Sequence, residues 1–249
     1  MRIDLNSDLG EGFGSWKMGD DSAMLDIVSS ANIACGFHAG DPDIMRLIAG
    51  TATAKGVVVG AHPGYRDLHG FGRRPMPGVT AKEIETLVAY QVGAFQAVCT
   101  IDGNRMGYVK THGALGNACA DNDELADAVA RGIAAAHRDL VWLVMPGTAT
   151  ERAGLRAVRE IYADRTYIDN FNLTPRDQPG SVIHDVDAAC TRALEMLTES
   201  RLTSGTGKVL KVKIDSICVH GDNPSAVKLA QSLRSALEAE GWKIASFIR

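Results

Sequence analysis

Short apolar runs recur along the chain. Each is followed by a polar, glycine-bearing loop and then by a stretch with helical spacing. Residues 57–60, 106–109, 141–144 and 216–219 are such runs, and 159–162 is a further predicted strand. The runs are continuous rather than alternating, as expected of strands covered on both faces. Ile33, Ala34 and Cys35 form another run, and Ile3 with Leu5 a short first one. The intervening segments predict helices over 21–29, 42–55, 80–98, 121–137 and 185–200, and a last one opened by Asn223 and Pro224 and stopped by Gly241. Thr80 and Glu83 have capping-box spacing. Asp41 before Pro42, and Gly56 beyond the last turn, mark the two ends of the second helix. Residues 6–14, 65–79 and 170–180 read as loops, 202–214 as a hairpin, and 243–248 as a terminal strand.

Strand, loop and helix repeat about seven times, which implies parallel strands joined by right-handed crossovers. The expected fold is α/β, a closed or nearly closed (β/α) barrel with about seven parallel strands. The 249 residues suit one such barrel, for which about 250 is typical. No linker or shift in composition divides the chain, so a single domain over 1–249 is expected. The formal net charge of -4 gives no electrostatic case for a nucleic-acid partner. No segment reads as a signal peptide or a membrane span. Cys35, Cys99, Cys119, Cys190 and Cys218 are odd in number and contain no CxxC pair, so a reducing cytoplasm is the expected compartment. Cys35 and Cys218 read as small core residues.

The candidate chemistry lies at strand ends. His38, His62, His112 and His220 each follow a predicted strand, Asp8 and Glu11 follow the first, and Asp164 and Arg165 follow the strand near Tyr162. In a parallel barrel these connections open on one face. The imidazoles and carboxylates therefore converge on one mouth, as acid–base chemistry or metal binding requires. His137 and His184 lie elsewhere. Arg73 with Arg74 could hold an anion or be plain surface, and Lys110 could stabilise charge or snorkel. Residues 204–208 resemble a phosphate-binding loop but lack its first glycine, and no dinucleotide fingerprint, nucleophile elbow or H-E-x-x-H is present.

Several longer blocks go further. They are DLNSDLGE (4–11), SANIACGFHAGDP (30–42), GAHPGY (60–65), GFGRR (70–74), KTHGAL (110–115), YADRTY (162–167), PRDQPG (175–180) and CVHGD (218–222). Together they resemble, in order and nearly end to end, the LamB/YcsF family, whose members are the A components of bacterial 5-oxoprolinase. Thr111 and Gly116, both beside His112, depart from the family pattern.

The resemblance implies a barrel related to those of glycoside hydrolases and deacetylases. It also implies ATP-dependent opening of the 5-oxoproline lactam to L-glutamate, together with 5-oxoprolinase subunits B and C. The ATP site would lie in, or be shared with, those partners. Carried onto this chain, the catalytic candidates are Asp8, Glu11, His38, His62 and His112. Arg73, Lys110, Asp164, Arg165, His220 and Asp222 are the substrate-binding candidates. Two other readings remain open: a deacetylase-like amidohydrolase using a divalent metal held by Asp8, His38 and His62, and a non-catalytic component that only holds substrate. The chain has no pair of histidines four residues apart, which the related deacetylases usually have.

Overall fold

A computed structural model describes residues 1–221 and 225–248. Its strands are β1 (Arg2–Leu9), β2 (Ser30–Ala34), β3 (Val58–His62), β4 (Met106–Lys110), β5 (Val141–Val144), β6 (Ala157–Tyr162), β7 (Arg201–Thr203), β8 (Val209–Lys211), β9 (Ser216–Val219) and β10 (Lys243–Ile244). The helices are α1 (Asp21–Leu25), α2 (Pro42–Ala54), α3 (Ala81–Ile101), α4 (Gly113–Asp121), α5 (Asp123–Ala136), α6 (Ala149–Arg152), α7 (Val186–Glu199) and α8 (Ala226–Ala239). Strands β1 to β6 pair in sequence order, β9 joins β6, and β1 pairs with β9 to close a seven-stranded parallel barrel. β10 extends the start of β1, and β7 and β8 form the expected antiparallel hairpin outside the barrel.

The expected helix starts hold where side chains cap them. Asp41 accepts from Ile44 N, Thr80 and Glu83 form a reciprocal capping box, and Asp185 accepts from Ala188 N. Two boundaries differ. The helix expected over 121–137 is α5, which starts at Asp123 because Asn122 caps it; the helix before it, α4, was not expected, and Asn122 ends it. The terminal strand stops at Ile244, and Phe247 and Ile248 instead pack under Tyr108 in the barrel floor. The expected start of α8 at Asn223 and Pro224 lies outside the described residues. α3 is long and apolar enough, by composition, to cross a membrane. Here it packs along α5 with Ile84, Val88, Val92 and Phe95 buried.

The largest correction concerns β1, which runs to Leu9 rather than stopping near Leu5. Ile3, Leu5 and Leu9 face the helices with the main apolar core. The alternate residues Asp4, Asn6 and Asp8 point into the barrel, as the two-residue strand period requires. The interior is therefore a column of polar groups, each with partners. Asp4 accepts hydrogen bonds from Ser29 (2.7 Å), Ser30 (2.6 Å) and Ser216. Asn6 Nδ2 donates to Ser216 Oγ at 2.7 Å, Asn32 Nδ2 to Asn6 Oδ1 at 2.8 Å, and Tyr108 Oη to Asn32 Oδ1 at 2.7 Å. Gly60 makes room for this layer, since a Cβ there would collide with the Tyr108 ring.

Lys110, only 2% exposed, closes the column at its upper end. Its Nζ lies 2.8 Å from Asp8 Oδ1, 3.0 Å from Cys218 Sγ and 3.3 Å from Glu160 Oε2, and 5.1 Å from the Tyr162 ring centroid. Burial alone would lower its pKa, but Asp8, Cys218 and Glu160 outweigh it and hold the ammonium well above the ordinary lysine value. A snorkelling surface role for Lys110 is therefore ruled out.

Two stability experiments follow from this interior. Lys110→Met strands Asp8 and Glu160 without their shared cation, and breaking a buried pair in this way costs roughly 3–5 kcal/mol. Urea denaturation should show a loss of that size, partly recovered when Glu160→Gln is added; unchanged stability would refute the pairing. Burial pushes the Asp4 carboxyl up to about 6 from 3.8, against the pull of Ser216, Ser30 and Ser29. The folded-state value is the higher one, so its contribution is complete below 3.8 and lost as pH rises through about 6. Asp4→Asn should therefore lack a decline of about 3 kcal/mol between acidic and neutral pH that the parent shows. Parallel pH–stability curves for the two proteins would contradict this.

Candidate active site

The upper ends of β1 to β4 bring six candidates together. Asp8, His62 and Lys110 are strand residues facing the interior rather than loop residues, while Glu11, His38 and His112 sit on the connections just beyond. All six are buried. His62 Nδ1 lies 2.8 Å from the Lys110 carbonyl, and its Nε2 lies 3.4 Å from Asp8 Oδ1. His112 Nε2 lies 2.8 Å from the Phe71 carbonyl. On its other side, His112 Nδ1 lies 3.0 Å from His62 Nε2 and 3.4 Å from Glu11 Oε1. His38 Nε2 is 3.3 Å from the same Glu11 oxygen. The His38 and His112 rings stack at 3.7 Å and 4°, and His62 stands almost perpendicular to both.

Electrostatics separates the roles of these groups. Burial, reinforced by His62, holds the His38 imidazole well below its ordinary pKa of 6.5; burial and His38 do the same to His112. Burial alone would raise the Asp8 carboxyl, but His62 and Lys110 hold it well below the usual carboxylate range. Asp8 is thus an anion and His112 a neutral base at neutral pH. Glu11, His38, His62 and His112 each offer a donor atom within 4.8 Å of the others, which among the described residues makes them a group that could hold a metal ion. Asp8 is not in it, which corrects the ligand set expected from sequence: its Oδ1 already accepts from Lys110 Nζ and Asn32 Nδ2, each at 2.8 Å.

The long 65–79 loop folds over these histidines. Asp67 anchors it, accepting from Arg74 Nε at 2.9 Å and from Gly70 N at 3.0 Å. Phe71 adopts a left-handed φ of 53°, uncommon for an aromatic residue and of the kind that persists where surroundings enforce it. That turn aims its carbonyl at His112 and stands its ring nearly perpendicular to those of His38 and His112. Gly72 then passes so close that a Cβ would lie 2.7 Å from His38 Cβ and 2.8 Å from His112 Cδ2. Arg73 stacks on Phe71 at 4.9 Å and reaches the cavity, whereas Arg74 serves the loop.

A cavity of about 900 Å³ opens at this mouth, lined by Asp8, His62, Lys110, His112, Tyr162 and His220 among others. Glu11 and His38 lie behind the histidine wall and do not line it. On the far side His220 Nδ1 sits 2.9 Å from Asp164 Oδ1, and its ring stacks on Tyr162 at 5.2 Å. Burial would raise the Asp164 carboxyl, but His220 holds it below its ordinary value. Arg165 lines the cavity, yet its bonds brace the 170–180 loop: Nε donates to the Ser181 carbonyl at 3.0 Å and Nη2 to that of Thr174 at 2.6 Å. Burial, then Arg176, pulls its pKa down to about 10. Asp222 lies outside the described residues, and His137 and His184 are exposed. Sequence reasoning missed Asn32, Glu160 and Tyr162. The alternation of Glu160 and Tyr162 along β6, like that of Asn6 and Asp8 along β1, was the available signal.

Comparison with known proteins agrees with this geometry. The LamB/YcsF family matches residues 3–249. The chain is 52% identical over 253 aligned positions to a Rhodopseudomonas palustris protein named as the A subunit of 5-oxoprolinase, covering 100% of both. The crystal structure of a lactam utilization protein from Thermus thermophilus superposes with a TM-score of 0.91 at 40% identity, covering 99% of this chain and 100% of that one. A family 4 carbohydrate esterase from Streptomyces lividans shares the fold alone, with a TM-score of 0.50 at 12% identity, covering 98% of this chain and 92% of that one. The family match over residues 3–249, the strand-end blocks in order and the full-length similarity agree: this chain belongs to the LamB/YcsF family.

Proposed function

We propose that this chain is the A component of an ATP-dependent 5-oxoprolinase, opening the 5-oxoproline lactam to L-glutamate together with partner subunits B and C. The names carried by its full-length relatives support the substrate. The observation that carries the reaction class is the cavity at the barrel mouth, whose floor is an Asp8–Lys110 ion pair and whose wall is formed by His62 and His112.

A lactam is a resonance-stabilised amide. Opening it needs a polarised carbonyl, an oriented water and a proton for the departing nitrogen. Transfer of a phosphoryl group from ATP to the lactam oxygen supplies the first. Asp8, ionised at the cavity floor, orients the water. His62 and His112 face the same space and stabilise developing charge, with Glu11 and His38 holding them from behind. Arg73 at the rim suits the substrate carboxylate, a task for which guanidinium is fitted. Lys110 fixes Asp8, and the Asp164–His220 pair on the opposite wall is the place for proton delivery to nitrogen; Arg165 shapes that wall.

With no phosphate-binding loop in the sequence, the ATP site is assigned to the partners or to a face shared with them. The barrel, closed by β1 and β9 and extended by β10 near the end of the chain, supports a single domain over 1–249. Five free, buried cysteines accord with a reducing cytoplasm.

Glutamate release from 5-oxoproline should require this chain, ATP and both partners. Asp8→Asn in the assembled complex should lower the rate by roughly 100-fold or more, the scale of a lost acid–base or positioning group. Glutamate formed by this chain alone without ATP, or full turnover with Asp8→Asn, would overturn the proposal.

A further inference from the structure

The ring nitrogens of the histidine cluster fix its tautomers. His62 Nδ1 faces the Lys110 carbonyl at 2.8 Å, and His112 Nε2 faces the Phe71 carbonyl at 2.8 Å. A carbonyl oxygen only accepts, so each of these nitrogens carries the ring proton. In the neutral rings the other nitrogens, His62 Nε2 and His112 Nδ1, present lone pairs that face one another across 3.0 Å. Around them are two more acceptors, Glu11 Oε1 at 3.4 Å from His112 Nδ1 and Asp8 Oδ1 at 3.4 Å from His62 Nε2. Four acceptors this close make a buried pocket that holds a cation, a role that an extra proton on His62 fills in the metal-free chain, where His62 acts as a positive charge on Asp8 and His38.

We propose that Glu11 Oε1, His62 Nε2 and His112 Nδ1 bind a divalent transition ion of the zinc class. Zinc bonds to imidazole nitrogen and carboxylate oxygen of about 2.0–2.2 Å place neighbouring donors of a tetrahedron roughly 3.3–3.5 Å apart. The 3.4 Å edge falls within that spacing, and the 3.0 Å edge would have to open by about 0.3 Å to admit the ion. Each histidine also has the outer support that metal-binding imidazoles need, its second nitrogen donating to a backbone carbonyl. His38 completes that support by donating from Nε2 to Glu11 Oε1 at 3.3 Å. His38 also offers a nitrogen within 4.8 Å of the other donors, and its engagement with Glu11 gives it the supporting part. Three protein ligands leave an open position, and His62 and His112 both line the cavity. When bound, such an ion supplies Lewis-acid polarisation to a ligand in that cavity. The inference rests on the histidine geometry and stands apart from the identity of the substrate.

The test is binding rather than turnover. The full chain, stripped with chelator, is titrated with Zn²⁺ by calorimetry and with Co²⁺ by visible absorption. Expected are one equivalent bound, a tetrahedral Co²⁺ spectrum and a raised Tm. Glu11→Gln, nearly isosteric, should weaken binding at least about 10-fold with circular dichroism unchanged, and His62→Ala or His112→Ala about 100-fold or more. The exposed His137→Ala should bind as the parent does. Absence of saturable binding, equal binding by all the variants, or ¹⁵N spectra showing His62 doubly protonated at neutral pH in metal-free and zinc-treated protein alike would overturn the proposal.

Discussion

One buried ammonium governs this molecule. Lys110 reaches from the end of β4 across the barrel to carboxylates on β1 and β6, so three strands share a single charge. An ion in a dry interior is tolerable only when paired and hydrogen-bonded. That requirement fixes Asp8, which fixes Asn32 and faces His62, and the constraint passes from the polar column to the site above it. The barrel core and the active centre are thus one continuous network, with its lower end closed by Asp4 and its serines.

This arrangement explains why the loops carry so much strain and so many glycines. The histidines pack against one another closely enough that the covering loop must pass within contact distance. Only Gly72 fits there, and Phe71 takes a left-handed turn to bring its carbonyl to His112. The loop sets the tautomer of His112, and the Lys110 carbonyl sets that of His62. Backbone oxygens rather than side chains therefore decide which nitrogens face inward.

The helices and the outer face of the barrel were legible in sequence because their signals are local: capping pairs, apolar spacing and terminal glycines. The convergence of Asp8, Glu11, His38, His62 and His112 was legible because parallel strands place their C-terminal ends on one side. The barrel interior was harder to read. β1 alternates apolar and polar residues, so 6–8 resembled a loop when the polar side chains in fact face partners on other strands. Glu160 and Asn32 belong to that hidden network, and their partners are about 25 to 150 residues away, beyond any local pattern. α4, over Gly113–Asp121, went unread for a different reason, since one asparagine both ends it and caps the helix that was expected after it.

The central claim is that the lactam occupies the cavity of this chain rather than that of a partner. A crystal structure of the assembled complex with 5-oxoproline tests it directly. The lactam ring is expected between Asp8 and the His62–His112 wall, with its carboxylate toward Arg73. A lactam bound on one of the partners, with this cavity empty, would contradict it.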